Sequence, residues 1–365
     1  MRVALDTTPL LGTRSGVAEV VSSTLAALSG TKGDLELVPY TVSARDTSGA
    51  GVGAVTIRWP ARLLIPWWSR VSRPRLERWT GPVDVVHGTN YVVPPTGAAK
   101  VISVYDLSFR HQPEDAVSAA RWFSASVATA ARRGAVIHTC TRAVAGELRD
   151  WLPGADVRVI PAGVTGLPRP DGEGGGGGGR QSGPPYLLAV GSAVTRKAFP
   201  LLIRAFGVAA GELPEVELRI AGAPGPATEA MTEEWRNLPA SVRARVHLLG
   251  RVSQTEKRRL LAGSSALVHP SLYEGFGFPV VEAMAAGVPV VAADDPAVAE
   301  VAGGAALLVP RGDEAALAEG IRRVLESEET AARLVDAGRA RAAQLTWEST
   351  AIGLLDLYHE LSRGA

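Results

Sequence analysis

The 365-residue chain holds a single cysteine, Cys140. A disulfide within the chain is excluded, and one thiol is a poor start for a metal site. A reducing, cytoplasmic setting fits that scarcity. An excess of one charge is missing as well, because 38 basic residues face 37 acidic ones. Nothing in that balance calls for nucleic acid as a partner. Long hydrophobic runs are also missing: no stretch reaches the ~18 apolar residues of a membrane span. The opening MRVALDTTPLLG carries Asp6 inside a short apolar run, without the basic region and long apolar core of a signal peptide. Two nucleotide signatures are absent too. No Gly-x-x-x-x-Gly-Lys-Ser/Thr occurs, which argues against a P-loop, and no Gly-x-Gly-x-x-Gly opens either half, which argues against a dinucleotide-dependent oxidoreductase.

What is present alternates. Short apolar runs at Val3–Leu5, Leu35–Tyr40, Val55–Trp59, Val83–His87, Val101–Val104, Val136–Thr139 and Val157–Ile160 read as strands, with helical patterns such as Ala18–Leu28 and Val117–Arg132 between them. A stretch rich in glycine and proline follows, with six consecutive glycines from Gly174. Such a segment is flexible and cannot repay its ordering entropy by burial, so it reads as a linker. The alternation then restarts. Strands are expected at Tyr186–Val190, Glu217–Ala221, Val246–Leu249, Ala266–Val268, Pro289–Ala292 and Ala306–Val309, and helices at Phe199–Ala210, Gln254–Ala262, Pro279–Ala286 and Glu314–Leu325. Near-continuous apolar strands alternating with helices imply an α/β fold with two parallel-sheet, Rossmann-like domains facing a cleft. The expected division is 1–165, a linker at 166–185, a second domain at 186–345, and a terminal helix at 346–365 with Thr346 as its N-cap.

The segment YEGFGFPVVEAMAAG carries Glu274 and Glu282 on either side of Gly275, Phe276, Gly277 and Pro279. Pro279 suits the first helical position, where its missing N–H costs nothing. Glycines before a helix N-terminus let backbone N–H groups approach an anion. Two carboxylates would repel a bare phosphate, yet they are good acceptors for hydroxyl groups. A nucleotide sugar combines a diphosphate with hydroxyls at both ends, so Glu274 is expected on the sugar and Glu282 on the ribose. On spacing alone, a solvated first-turn charge at Glu282 and a plain loop residue at Glu274 fit equally well. Arg196 and Lys197 follow a Gly191–Ser192 turn at a strand end. Adjacent cations there suit a diphosphate leaving group, and two surface charges on a turn are the plainer alternative. The loop with Gly12 and Gly16 after the first strand is a weak phosphate-facing signal.

Arg58 to Trp79 contains six arginines, four tryptophans and one acid, Glu77. This mixture suits either an anionic membrane surface, with tryptophan at the headgroup level, or an amphipathic helix packed on the core with solvated arginines.

The segments RKAFPLLIRAF, VHLLGRVS, YEGFGFPVVEAMAAGVPVVAADDPAVAEVAGGAALLVP and TWESTAIGLLDLYHEL, with VDVVHGTNYVVPP, VYDLSFRHQPE and RVIPAGV in the first half, resemble the retaining GT-B glycosyltransferases of family four. The resemblance implies a GT-B fold with an N-terminal acceptor domain, a C-terminal donor domain and a last helix returning to the first. It implies sugar transfer from a nucleotide diphosphate donor with retention, without a bound metal or other cofactor. GDP-mannose is the first expected donor and a UDP-sugar the second. The expected acceptor is a saccharide, a lipid-linked or a small molecule, the expected setting is cytoplasmic, and the Arg58–Trp79 segment adds peripheral contact at the inner membrane face as a further expectation. Carried over, Arg196 and Lys197 hold the diphosphate, Glu274 and the Gly275–Gly277 backbone meet the sugar and phosphate, and Glu282 takes the ribose. Gly16 approaches the donor phosphates, and Arg251 and Val252 lie where the base docks. Relatives commonly have histidine where this chain has Tyr105, before Asp106. Tyrosine still hydrogen-bonds but cannot take a positive charge at neutral pH. His87, at another strand end, is a compensating candidate or a histidine that fixes a loop. His111 and Asp6 are lesser candidates, and Cys140, before the cap residue Thr141, reads as packing. A GT-B nucleotide-sugar 2-epimerase and a non-catalytic nucleotide-sugar binder remain as alternatives.

Overall fold

The fold comes from a computed structural model that describes residues 1–11, 16–31, 33–45, 53–68, 70–112, 122–165 and 183–364. The expected linker lies outside the described residues from 166 to 182, as do Gly12 and the start of the helix expected from Val117.

The described chain divides into two compact units, Met1–Gly163 with Leu345–Ala365, and Val164–Gln344. The first unit is built from β1 (Arg2–Asp6), α1 (Gly16–Ser29), β2 (Glu36–Val42), β3 (Val55–Ile57), α2 (Ala61–Trp68), α3 (Glu77–Thr80), β4 (Val85–Gly88), β5 (Ala99–Ser103), α4 (Ser108–His111), α5 (Phe123–Arg132), β6 (Val136–Thr139), α6 (Arg142–Trp151) and β7 (Val157–Val159). The second contains β8 (Tyr186–Val190), α7 (Phe199–Ala209), β9 (Glu217–Ala221), α8 (Thr228–Asn237), α9 (Ala240–Arg243), β10 (Val246–Gly250), α10 (Gln254–Gly263), β11 (Ala266–His269), α11 (Phe278–Ala285), β12 (Val290–Ala293), α12 (Pro296–Ala302), β13 (Leu307–Val309), α13 (Glu314–Glu326) and α14 (Glu328–Ala342). The last helix, α15 (Trp347–Arg363), belongs to the first unit.

Each apolar run becomes a strand because its side chains are covered: Val3, Ala4 and Leu5, or Leu187, Leu188 and Ala189, are fully buried. The sheets run β3-β2-β1-β4-β5-β6-β7 and β10-β9-β8-β11-β12-β13, with every pairing parallel. Two boundaries differ from the sequence reading in an instructive way. β3 ends at Ile57 rather than Trp59, because Trp59 N folds back onto Ile57 O at 2.8 Å. α11 begins at Phe278, one residue before Pro279, which still falls in the first turn where no N–H is needed.

Thr346 caps α15, accepting from Ser349 N at 3.1 Å. Ala351, Leu354, Leu357 and Tyr358 of that helix share a core with Val3, Leu5, Leu28, Val85, Val101 and Val136. Thr141 likewise caps α6, accepting from Val144 N at 3.3 Å.

Candidate active site

In the second sheet the chain moves one way from β8 to β9 and β10, and the other way from β11 to β12 and β13. The neighbours β8 and β11 therefore stand at the point where the strand order reverses, the place where open α/β sheets bind ligands at their carboxyl ends. Arg196 and Lys197 stand in the loop after β8, and Glu274 stands in the loop after β11.

A 3-10 turn, Thr195–Lys197, is followed by Ala198 in the left-handed region at φ 49°. That conformation costs a non-glycine residue about 1 kcal/mol. The loops are tied by Leu272 N donating to Arg196 O at 2.7 Å. Arg196 Nη1 then reaches Tyr273 O at 3.1 Å and Glu274 Oε2 at 3.0 Å, and Lys197 Nζ donates to Glu274 Oε1. Lys197 is 7% and Glu274 6% exposed, so water screens this cluster little. Burial pushes the Glu274 carboxyl up, but Lys197 and Arg196 outweigh it and hold it well below the usual carboxylate range. His269, at the end of β11, brings Nε2 to 3.0 Å from Glu274 Oε1, off hydrogen-bond alignment. Burial lowers its pKa against the pull of Glu274, so the imidazole is neutral there. Two cations, one carboxylate and a neutral histidine leave the cluster with one positive charge to offer an anion.

Asp295 supports the loop from behind. Its Oδ1 caps α12, accepting from Ala297 N at 2.9 Å and Val298 N at 3.1 Å, while Oδ2 accepts from Glu274 N at 3.3 Å. Ser271, in the same loop, buries an Oγ that finds no hydrogen-bond partner among the described residues. Gly277 holds φ 82° at the N-cap of α11, a turn open to glycine, and its segment Gly275–Phe276–Gly277 is buried. Glu282, one turn into α11, is 9% exposed, and its Oε1 accepts from Lys257 Nζ of α10 at 2.6 Å. Both glutamates therefore have cation partners, where the sequence reading reserved them for hydroxyls. A carboxylate has about four acceptor positions, so a cation does not exhaust either.

The loops after β8, β9 and β10 lie against one another. Gly191 N donates to Ala221 O at 3.0 Å and Gly222 N to Gly250 O at 2.8 Å, and a Cβ on Gly222 would overlap the Gly191 carbonyl. Beside them is a largely apolar cavity of about 230 Å³, lined by Gly191, Phe199, Ile220, Met231, Leu248 and Gly250 among others. Ser192 and Arg251 are exposed and Val252 is half-buried at this end of the sheet.

The other expected site residues belong to the first unit. Gly16 is the exposed first residue of α1. Tyr105 is half-buried, with its ring edge-on to Tyr91 at 6.3 Å, and burial pushes its hydroxyl pKa up. Asp106 Oδ1 accepts from Ser108 N at 3.0 Å and Ser108 Oγ at 2.7 Å, starting α4. His87 is buried between Tyr358 Oη at 2.5 Å and Ser103 Oγ at 2.8 Å. Ser103 Oγ continues to His138 Nδ1 at 2.9 Å, and His138 Nε2 to Ile160 O at 3.0 Å. His87 thus joins a buried polar chain linking α15 to the sheet. His111 Nε2 meets Glu147 Oε2 at 2.6 Å. Cys140 is buried, and burial pushes its thiol up to about 12, far from a reactive thiolate. His269, Asp295 and Lys257 were not foreseen. The Asp-Pro pair at 295–296 is a helix-start signature that points to Asp295, whereas no local pattern marks the other two.

Residues 177–341 match the family described as Glycosyl transferases group 1. Those residues are a group 1 glycosyltransferase domain. Within it lie Arg196, Lys197, Glu274 and Glu282. The chain is 40% identical over 119 residues to the MMP alpha-(1->4)-mannosyltransferase of Mycolicibacterium hassiacum, a match covering 32% of this chain and 29% of that enzyme. The chain spans about a third of the length of the curated relatives at the head of this comparison. Among solved structures, it resembles a sucrose-phosphate synthase from Thermosynechococcus elongatus with a TM-score of 0.72, 20% identity and 100% of both chains covered. It also resembles WaaG, a glycosyltransferase involved in lipopolysaccharide biosynthesis, with a TM-score of 0.69, 16% identity, and 98% and 99% coverage. The fold around the glycosyltransferase domain is accordingly GT-B, with a seven-stranded and a six-stranded parallel sheet.

Proposed function

We propose that the chain transfers a sugar from a nucleoside diphosphate donor to an acceptor hydroxyl, with the anomeric configuration retained and no metal required. The observation that carries this reading is the buried Arg196–Lys197–Glu274 cluster at the switch point of the second sheet. It offers net positive charge beside a strong acceptor, the combination that a diphosphate joined to a sugar demands.

In this reading Arg196 and Lys197 face the diphosphate, and Glu274 accepts from a sugar hydroxyl while keeping the cations from repelling each other. Backbone N–H groups of Gly275–Gly277 and the N-terminus of α11 add partial positive charge. Glu282 takes the ribose, and the base lies by Arg251 and Val252 beside the apolar cavity. The bond from the anomeric carbon to the diphosphate oxygen breaks, and its electron pair leaves with the diphosphate, stabilised by the cations. The acceptor oxygen bonds to the same face, and its proton passes to a phosphate oxygen. Gly16, Tyr105 and Asp106 are the first unit's candidates toward donor and acceptor, whereas His87, expected beside them, is buried with both ring nitrogens bonded to Tyr358 and Ser103 and holds α15 to the sheet instead. The mannosyltransferase relatives favour mannose as the sugar, and GDP-mannose is the first donor to try, ahead of a UDP-sugar. The acceptor is a saccharide, a lipid-linked or a small molecule, met in the cytoplasm.

A thermal-shift series with GDP, UDP and their sugars tests the reading. A ligand at a hundredfold its dissociation constant stabilises by about 2.7 kcal/mol. Melting that ignores every nucleoside diphosphate would overturn the assignment. Product analysis with donor alone and with donor plus acceptor then separates transfer from epimerisation.

A further inference from the structure

Seven large apolar side chains stand exposed among the described residues, and four of them fall within thirteen residues: Trp59 at 53%, Leu63 at 61%, Trp67 at 55% and Val71 at 37%. They recur every fourth residue across α2 and its flanks. Leu64 N donates to Pro60 O at 3.1 Å and Val71 N to Trp67 O at 2.8 Å, so helical bonds occur at both ends of the stripe. Residues four apart lie on one helix face.

The opposite face of α2 is already satisfied. Leu64 and Trp68 are buried in a core with Ile57, Leu76, Tyr40 and Val86. A helix anchored by one apolar stripe has no packing reason to carry a second one toward water, and a contiguous exposed apolar patch marks a contact surface.

The charge around the stripe says what covers it. Arg58, Arg70, Arg73, Arg75 and Arg78 are all exposed, and none of the ion pairs formed among the described residues joins them to a carboxylate. The lone acid, Glu77, turns inward: its Oε1 accepts from Thr96 Oγ1 at 2.7 Å and Gly97 N at 2.6 Å. Trp67 Nε1 is engaged by Arg73 O at 2.9 Å, so the indole rests against the arginine-bearing loop. A second copy of this chain would bring the same positive patch against itself and be repelled. An anionic lipid surface supplies both needs, since it offers acyl chains to the stripe, headgroup depth to the tryptophans and phosphate to the arginines.

We propose that α2 and its flanks, from Arg58 to Arg78, dock this chain onto an anionic lipid surface. Trp59, Leu63 and Trp67 insert at the headgroup boundary, and the arginines hold lipid phosphates. The inference stands apart from the transfer reaction and extends that reading only by naming a surface at which an acceptor would be met.

The test is co-sedimentation of the full chain with phosphatidylcholine vesicles, with and without phosphatidylglycerol, at low and high salt. Binding is expected to the anionic vesicles, at least tenfold tighter than to the neutral ones, and to weaken in high salt. Trp59→Ser/Leu63→Ser is expected to lose at least tenfold in binding with its melting temperature unchanged. Arg58→Glu/Arg73→Glu gives a second variant at two exposed arginines, with the same expected loss. No association with anionic vesicles, or equal association with neutral ones, would overturn the proposal. So would a lipid-free dimer of the wild type that Trp59→Ser/Leu63→Ser breaks, because the cover would then be a second copy. Vesicle binding reads none of the transferase chemistry, so a chain that binds vesicles but no nucleotide sinks only the functional reading, and the reverse result sinks only this one.

Discussion

Arg196 Nη1 and Glu274 Oε2 lie 3.0 Å apart although 78 residues separate them in the chain. Glu274 also takes Lys197 Nζ, so one buried carboxylate holds two adjacent cations in place. Removing one member of a buried charge cluster leaves the others uncompensated, at a cost of about 3–5 kcal/mol. Glu274→Gln keeps the shape and removes the charge. It is expected to destabilise the fold by about that amount in urea melts and to abolish transfer. Arg196→Ala with Lys197→Ala is expected to remove most transfer, and full activity in that double variant would refute the electrostatic role.

Glu282 meets Lys257 at 2.6 Å, so a ribose hydroxyl arriving at Glu282 joins an existing partner. A hydrogen bond to a charged group is worth about 1.5–3 kcal/mol. Glu282→Ala is expected to weaken nucleoside diphosphate binding by about tenfold or more, read by calorimetry. Unchanged affinity would place the ribose elsewhere.

Asp6 is buried at the end of β1, and burial raises its pKa from 3.8 to about 6 against the hydrogen bonds from Thr8. A raised carboxyl favours the folded state below its unfolded pKa, and that contribution is lost as pH rises through about 6. Asp6→Asn keeps an oxygen for Thr8 N, which donates to Oδ1 at 2.9 Å. The variant is expected to be up to about 3 kcal/mol more stable than wild type at pH 8, with no gain at pH 4. Equal stability differences at both values would show that the carboxyl is not strained by burial.

His138 carries the opposite sign. Burial lowers its pKa from 6.5 to about 4, against its bond to Ile160 O. The neutral ring favours the fold above pH 6.5, and that contribution is lost as pH falls toward 4. Burial holds His87, with the imidazole of His138 nearby, well below its usual value as well. Tyr358→Phe removes the hydroxyl at 2.5 Å from His87 Nδ1 and leaves a buried polar nitrogen unsatisfied, at about 1–3 kcal/mol. Lower melting temperature and faster amide exchange in α15 are expected, and wild-type exchange there would show that the polar chain does not hold the helix.

The thirteen strands among the described residues were legible because each announces itself in three to seven residues of local pattern, and the caps Thr141 and Thr346 because their bonds reach only three residues ahead. Arg196, Lys197, Glu274 and Glu282 were legible as a motif, yet their partners were not. Nothing near His269 says that it faces Glu274, and nothing near Lys257 says that it meets Glu282, because α10 and α11 are set side by side only after β11 has paired. The polar chain Tyr358–His87–Ser103–His138 was equally hidden. It crosses three neighbouring strands and the last helix, a register set by strand pairing.

By itself the sequence determined the order of strands and helices, the α/β class and the residue types gathered in two short motifs, since these depend on periodicity and spacing within a few turns of chain. Tertiary structure decided which charges meet. Strand order reverses between β8 and β11, the loops that follow them are tied together there, and burial makes Glu274 the shared partner of Arg196 and Lys197. It decided as well that the stripe from Trp59 to Val71 faces outward, because Leu64 and Trp68 had already claimed the core.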